Sequence, residues 1–145
     1  MAEAPLPAIR ALPSWNLGRA AARGRALVAE ALAAEGMKMW HHVVLSAVRD
    51  LAPVAQADLG RGVGLDPKDL VGVLNDLQSA GLVVRAPDPK DRRKNAVSLT
   101  DGGDRLLTRC EEAARRANDE LLAPLSTSER DQFMGLLIRI SGTDG

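Results

Sequence analysis

The sequence predicts a mainly α-helical protein carrying one small β-hairpin. Three observations lead there. LDPKDLVGVLNDLQSAG, beginning at Leu65, contains a full set of helix start and stop signals. Two short runs rich in Val and Leu, LVVRAP and AVSLT, flank a cationic loop. Long stretches with apolar residues at helical spacing lie on both sides of that centre.

Each element follows in order. Pro5, Pro7 and Pro13 make residues 1–13 an irregular arm. Ser14 is a candidate N-cap for a helix from Trp15 to Ala34, in which Leu17, Ala20, Ala21, Leu27, Val28, Ala31 and Leu32 form a stripe closed by Gly36. Met37 to Leu51 reads as a second helix, with Trp40, Val44, Leu45 and Val48 on one face and Pro53 as its stop. Val54 and Ala55 allow only a short strand. Ala57 to Val63 reads as a short helix with Gln56 near its cap and Gly64 at its end.

The next helix is the clearest. Asp66 caps it, Pro67 takes the first helical position, and Asp69 lies in the first turn. Leu70, Val73, Leu74 and Leu77 make its apolar face, and Gly81 closes it. After the hairpin, Thr100 caps a helix from Asp101 to about Leu122, striped by Leu106, Leu107, Cys110, Ala113, Ala114, Ala117 and Leu121. Pro124 stops it. Ser126 and Glu129 form a capping box for a last helix faced by Phe133, Leu136, Leu137 and Ile140.

A short helix, a turn, a capped helix and a hairpin make a winged helix-turn-helix, a unit that lays its second helix in the DNA major groove. The flanking helices exceed what that unit needs and are expected to be a dimerisation platform. The expected organisation is an arm and dimerisation helix in 1–36, the winged helix-turn-helix in 37–100, and dimerisation helices in 101–145.

Composition narrows the function. The 145 residues are 46% apolar and 26% charged, a globular balance. No run approaches the roughly 18 apolar residues of a membrane span, and the N-terminus lacks a signal-peptide pattern, so a cytoplasmic protein is expected. Cys110 is the one cysteine, which excludes an intrachain disulfide and a cysteine zinc site. It lies on an apolar stripe, so packing is its expected role. No GxSxG, P-loop, HExxH or paired nucleophile and base is present, so neither catalytic residues nor a cofactor is expected. Net charge is zero, with 19 basic and 19 acidic residues, which argues against charge-driven, non-specific nucleic-acid binding. The charge is uneven, however. From Arg85 to Lys94 there are five cations and two acids, a local excess of +3.

The segment GLVVRAPDPKDRRKNAVSLTDGG resembles the strand, wing and strand of MarR-family transcriptional regulators, with their DPxDRR and VxLTxxG patterns. VLSAVRDLAPVAQADLGRGVGLDPKDLVGVLNDLQSAGLVVR matches the family's helix-turn-helix in spacing, and the resemblance runs from about Trp40 to Leu107. It implies a homodimer on a pseudo-palindromic double-stranded DNA operator. A recognition helix at about 66–80 would enter the major groove and a wing at 87–95 the minor groove. It also implies regulation, usually repression, often relieved by a small-molecule effector.

Residue by residue, Arg93 is the expected minor-groove probe, because a guanidinium suits the negative potential of a narrow groove. The resemblance gives Asp91 the role of an arginine-bonded brace, while Arg92, Lys90 and Lys94 are expected either to contact phosphates or to stay solvated. On the recognition helix, Lys68 suits a guanine edge or a phosphate, Asp69 a cytosine amine, and Val71 a thymine methyl. Gly72 permits close backbone approach, and Asn75 is a further exposed candidate. The family often has a small hydroxyl residue and a basic residue where this chain has Val71 and Gly72. Asp66 and Asp69 also serve as simple capping residues. Gln56 and Arg61 are phosphate candidates on the short helix, and Arg61 equally reads as an ordinary surface residue. Trp40, His41 and His42 offer either an effector pocket with a polar handle or ordinary packing. Adjacent histidines point about 100° apart on a helix, so no metal site is expected. A winged helix used for protein–protein contact is the competing reading, consistent with zero net charge and an acidic recognition helix.

Overall fold

Proline and the caps set where the helices begin. In a computed structural model describing residues 6–142, the order is α1 (Pro7–Arg10), α2 (Pro13–Ala34), α3 (Met39–Leu51), β1 (Val54–Ala55), α4 (Gln56–Val63), α5 (Pro67–Ser79), β2 (Val83–Pro87), β3 (Asn95–Leu99), α6 (Asp101–Leu121) and α7 (Thr127–Ser141). The fold is mainly helical with one small antiparallel sheet, as the periodicity and turn signals predict. The described residues form two compact units, one of residues 6–28 and 115–142 and the other of residues 29–114.

The 29–114 unit is built on leucine and valine. Leu32, Val44, Leu45, Val48, Leu59, Leu74, Val97 and Leu107 are fully buried, and Leu70, Leu77 and Val83 nearly so. Each such side chain contributes roughly 1.5–3 kcal/mol, so aliphatic burial holds a core that contains no aromatic ring. Strand order in the sheet is β1-β3-β2, both pairings antiparallel. Val97 is the hub, opposite Val54 on one side and Arg85 on the other. Helix α5 packs against α3, α4 and β2, which fixes its buried stripe and leaves the opposite face in solvent.

The joint from sheet to α6 is tight. The Thr100 backbone N–H donates to the Leu82 carbonyl at 3.1 Å, and its hydroxyl donates to the Gly81 carbonyl at 2.6 Å. The same hydroxyl oxygen accepts the Gly103 N–H at 2.9 Å and so caps α6. A Cβ on Gly103 would lie 2.0 Å from the Leu82 carbonyl oxygen, so only glycine fits there. Gly81 takes the left-handed conformation (φ +74°) that ends α5.

In the unit of residues 6–28 and 115–142, the Arg23 guanidinium donates to the Leu121 carbonyl at 3.3 Å, and Gly24 leaves room for the Leu121 side chain. The Ser126–Glu129 capping box of α7 is complete. No residue of α7 is buried, and Met134, Leu136, Ile138 and Ile140 are exposed. Among the described residues these four side chains are left uncovered, while Phe133 and Leu137 are half-buried.

Four boundaries differ from expectation. Helix α2 starts at Pro13, so Ser14 lies inside it and is not its cap. A proline at the first helical position needs no N–H partner, which makes the earlier start favourable. The arm holds the short helix α1 at Pro7–Arg10. Gln56 is the first residue of α4 and not its cap, and α3 begins at Met39 with Met37 buried ahead of it.

Candidate nucleic-acid interface

Helix α5 is started by Asp66, whose carboxylate accepts the Asp69 N–H at 2.9 Å. That bond holds the Asp66 carboxyl below the usual carboxylate range. Its neighbour Asp69 is pushed upward by its hydrogen bond to Asp66 and by repulsion from that charge. Lys68, Asp69, Val71, Gly72 and Asn75 are all exposed. No atom lies within 4 Å of the Cβ position of Gly72, so its surface is open.

The remaining polar residues of α5 are held by neighbours. His41 on α3 and Asp76 are bonded, Nε2 to Oδ2, at 2.9 Å. The Arg85 guanidinium on β2 donates to Gln78 Oε1 through Nε and to Asn75 Oδ1 through Nη2, both at 2.6 Å. Arg85, counted with the wing cations from sequence, thus faces α5. The strand alternation of Val83, buried, and Arg85, half-buried, carried that signal.

The wing spans the residues between Pro87 and Asn95. Its backbone closes with Asp88 N–H to Lys94 O at 2.8 Å and Lys94 N–H to Asp91 O at 3.0 Å. Asp91 organises the tip. Its Oδ1 accepts both the Arg93 backbone N–H and the Arg93 Nε, each at 3.1 Å, and Oδ2 accepts Nη2 at 3.3 Å. Arg93 holds the Asp91 carboxyl below its usual range. The Arg93 side chain is nonetheless 90% exposed. Lys90, Arg92 and Lys94 are also exposed, and the Lys94 charge adds to the pull on the Asp91 carboxyl.

On α4, the Arg61 guanidinium bonds to Asp58 one turn earlier, and Gln56 is half-buried. On α3, Trp40 is 48% exposed and does not join the core. His41 Nδ1 and His42 Nε2 are buried without a hydrogen-bond partner. Burial lowers the His42 pKa, outweighing the attraction of Glu111. The Cys110 thiol is fully buried, and burial raises its pKa, as for a packing residue. Among the described residues no cluster of potential metal ligands exists, and no helix is long and apolar enough to cross a membrane.

The fold has counterparts among known proteins. Residues 35–94 match the MarR family. A structure of a probable transcriptional regulator from Pseudomonas aeruginosa is 32% identical, covering 91% of this chain and 98% of that one, with a TM-score of 0.76. The chain belongs to the MarR family. The family is one of winged-helix transcriptional regulators. The transcriptional repressor NicR of Pseudomonas putida is 34% identical over 70% of this chain and 65% of its own length. The chain spans about two thirds, 66% and 65%, of the length of two curated relatives that it matches. A MarR-family protein of Mycobacterium tuberculosis, solved in complex with DNA, is 27% identical, covering 92% of this chain and 99% of that one, with a TM-score of 0.79.

Proposed function

We propose that the protein binds double-stranded DNA as a homodimer on a pseudo-palindromic operator and represses transcription. The recognition helix, about 66–80, enters the major groove, and the wing, 87–95, reaches the adjacent minor groove. The observation that carries this reading is the wing itself, where four exposed cations cluster in a chain of zero net charge and Asp91 holds the guanidinium of Arg93. The DNA complex of the Mycobacterium tuberculosis relative and the repressor name of the Pseudomonas putida relative support it. Arg93 is assigned to the minor groove, Lys90, Arg92 and Lys94 to phosphates, and Lys68, Asp69, Val71 and Gly72 to base edges. Gln56 and Arg61 are assigned to phosphates flanking the recognition helix. DNA as the target places the protein in the cytoplasm.

The terminal segments, 1–36 and 101–145, are assigned to dimerisation. The uncovered apolar side of α7 supports this, since Leu136 and Ile140 lie one turn apart and both are more than half exposed. Any effector is assigned to the Trp40, His41 and His42 region. There, buried ring nitrogens without partners would gain most from a ligand's hydrogen bond.

Footprinting on the promoter nearest the protein's own gene, with Arg93→Ala as control, tests the reading. Protection that is lost in the variant supports it. Absence of protection on that promoter, together with failure to select any duplex from a randomised library, favours a winged-helix module for protein contact.

A further inference from the structure

Arg85 shares a face of β2 with buried Val83 and stands opposite Val97 in the sheet. From that position its guanidinium spans to α5, reaching Gln78 and Asn75 at 2.6 Å each. The two amides are three residues apart, so they sit side by side one helical turn from each other. A guanidinium has five N–H donors and no acceptor. Each amide must therefore turn its oxygen toward Arg85 and its NH2 group away.

We propose that Arg85 is a positioning residue that fixes the amide orientation of Asn75 and Gln78 and turns their NH2 groups outward on the exposed side of the recognition helix. The proposal rests on the DNA-binding reading above. A free Asn or Gln reads adenine by accepting from N6 while donating to N7. With one lone pair of the oxygen taken by Arg85 and the amide held in that orientation, the bidentate contact is disfavoured. The outward NH2 group favours acceptors: phosphate oxygens, guanine O6 and N7, or thymine O4. The same fork ties the recognition helix to β2, the strand that runs into the wing.

The probe is a duplex selected by the wild-type protein from a randomised library. Affinity is measured for wild type, Arg85→Ala, the Asn75→Ala/Gln78→Ala double variant and the triple variant. Arg85 acting through the amides predicts that Arg85→Ala weakens binding in the wild-type background. In the background lacking both amides it changes binding by less than about twofold. The slope of log affinity against log salt stays that of the wild type, because no cation that neutralises a phosphate is removed. Equal losses in both backgrounds, or a slope shallower by about one, would make Arg85 a phosphate contact in its own right and overturn the proposal. Double-variant binding equal to wild type would overturn it too. Arg85→Lys, which keeps the charge and loses the fork, runs through the same cycle if the alanine variant fails to fold.

Repeating the selection with Arg85→Ala separates the two acceptor sources. New selection for adenine at a position where the wild type takes guanine or thymine puts the amides on bases. An unchanged preference with the same non-additivity puts them on phosphates. A wild-type protein that selects no duplex overturns the DNA reading itself, and the proposal with it.

Discussion

Asp91 accepts three hydrogen bonds from Arg93, one from its backbone and two from its guanidinium, within a two-residue span. Both side chains are at the surface, where such a pair adds little stability. Its effect is on shape, since it fixes where the highly exposed Arg93 points. Simple charge counting says that removing Asp91 strengthens binding to DNA. The brace predicts the opposite, so Asp91→Ala is expected to weaken affinity about three- to tenfold, on the order of 1 kcal/mol. A titration of labelled operator duplex gives the sign.

Gly103 faces the Leu82 carbonyl so closely that a methyl group has no room, while Gly102 has only ordinary contacts, the nearest at 3.7 Å. Gly103→Ala should destabilise the protein by upwards of about 2 kcal/mol, and Gly102→Ala far less. Thermal melting of the two variants, side by side, checks it. Equal melting temperatures would mean that the joint before α6 yields easily.

His42 is partly buried, and burial lowers its pKa. The unfolded chain takes up a proton near the ordinary imidazole value of about 6.5, where the folded chain still resists it. Stability is therefore full above that value and declines as pH falls below it. Melting temperature followed from pH 7.5 down to about 5.5 should drop in the wild type and drop less in His42→Gln. Parallel curves for the two proteins would contradict the assignment.

Ile140 is 65% exposed and Leu136 55% exposed on a helix with no buried residue. If this side meets a second copy, Leu136→Asp/Ile140→Asp turns a dimer into a monomer in sedimentation and weakens operator binding with it. A wild-type chain that sediments as a monomer at micromolar concentration would refute the assignment.

Most of the fold was legible because its signals are local. Asp66 with Pro67, Ser126 with Glu129 and Thr100 each cap the helix that the sequence assigns to them. Ser14 misled because Pro13 is itself a good first helical residue, and side-chain capping is only one way to start a helix. The wing was legible from charge and turn residues together. Arg85 and Asp76 were not, because their partners Asn75, Gln78 and His41 come from other elements. Only the packing of β2 and α3 onto α5 brings them within reach.

The central claim is that the wing supplies much of the attraction for DNA in a chain without net charge. The most direct test is operator affinity against salt for wild type and Arg93→Ala. The account predicts a steep wild-type dependence, a loss of at least about tenfold in the variant, and a slope shallower by about one. A wild-type slope near zero, or a variant that matches the wild type in affinity and slope, would contradict it.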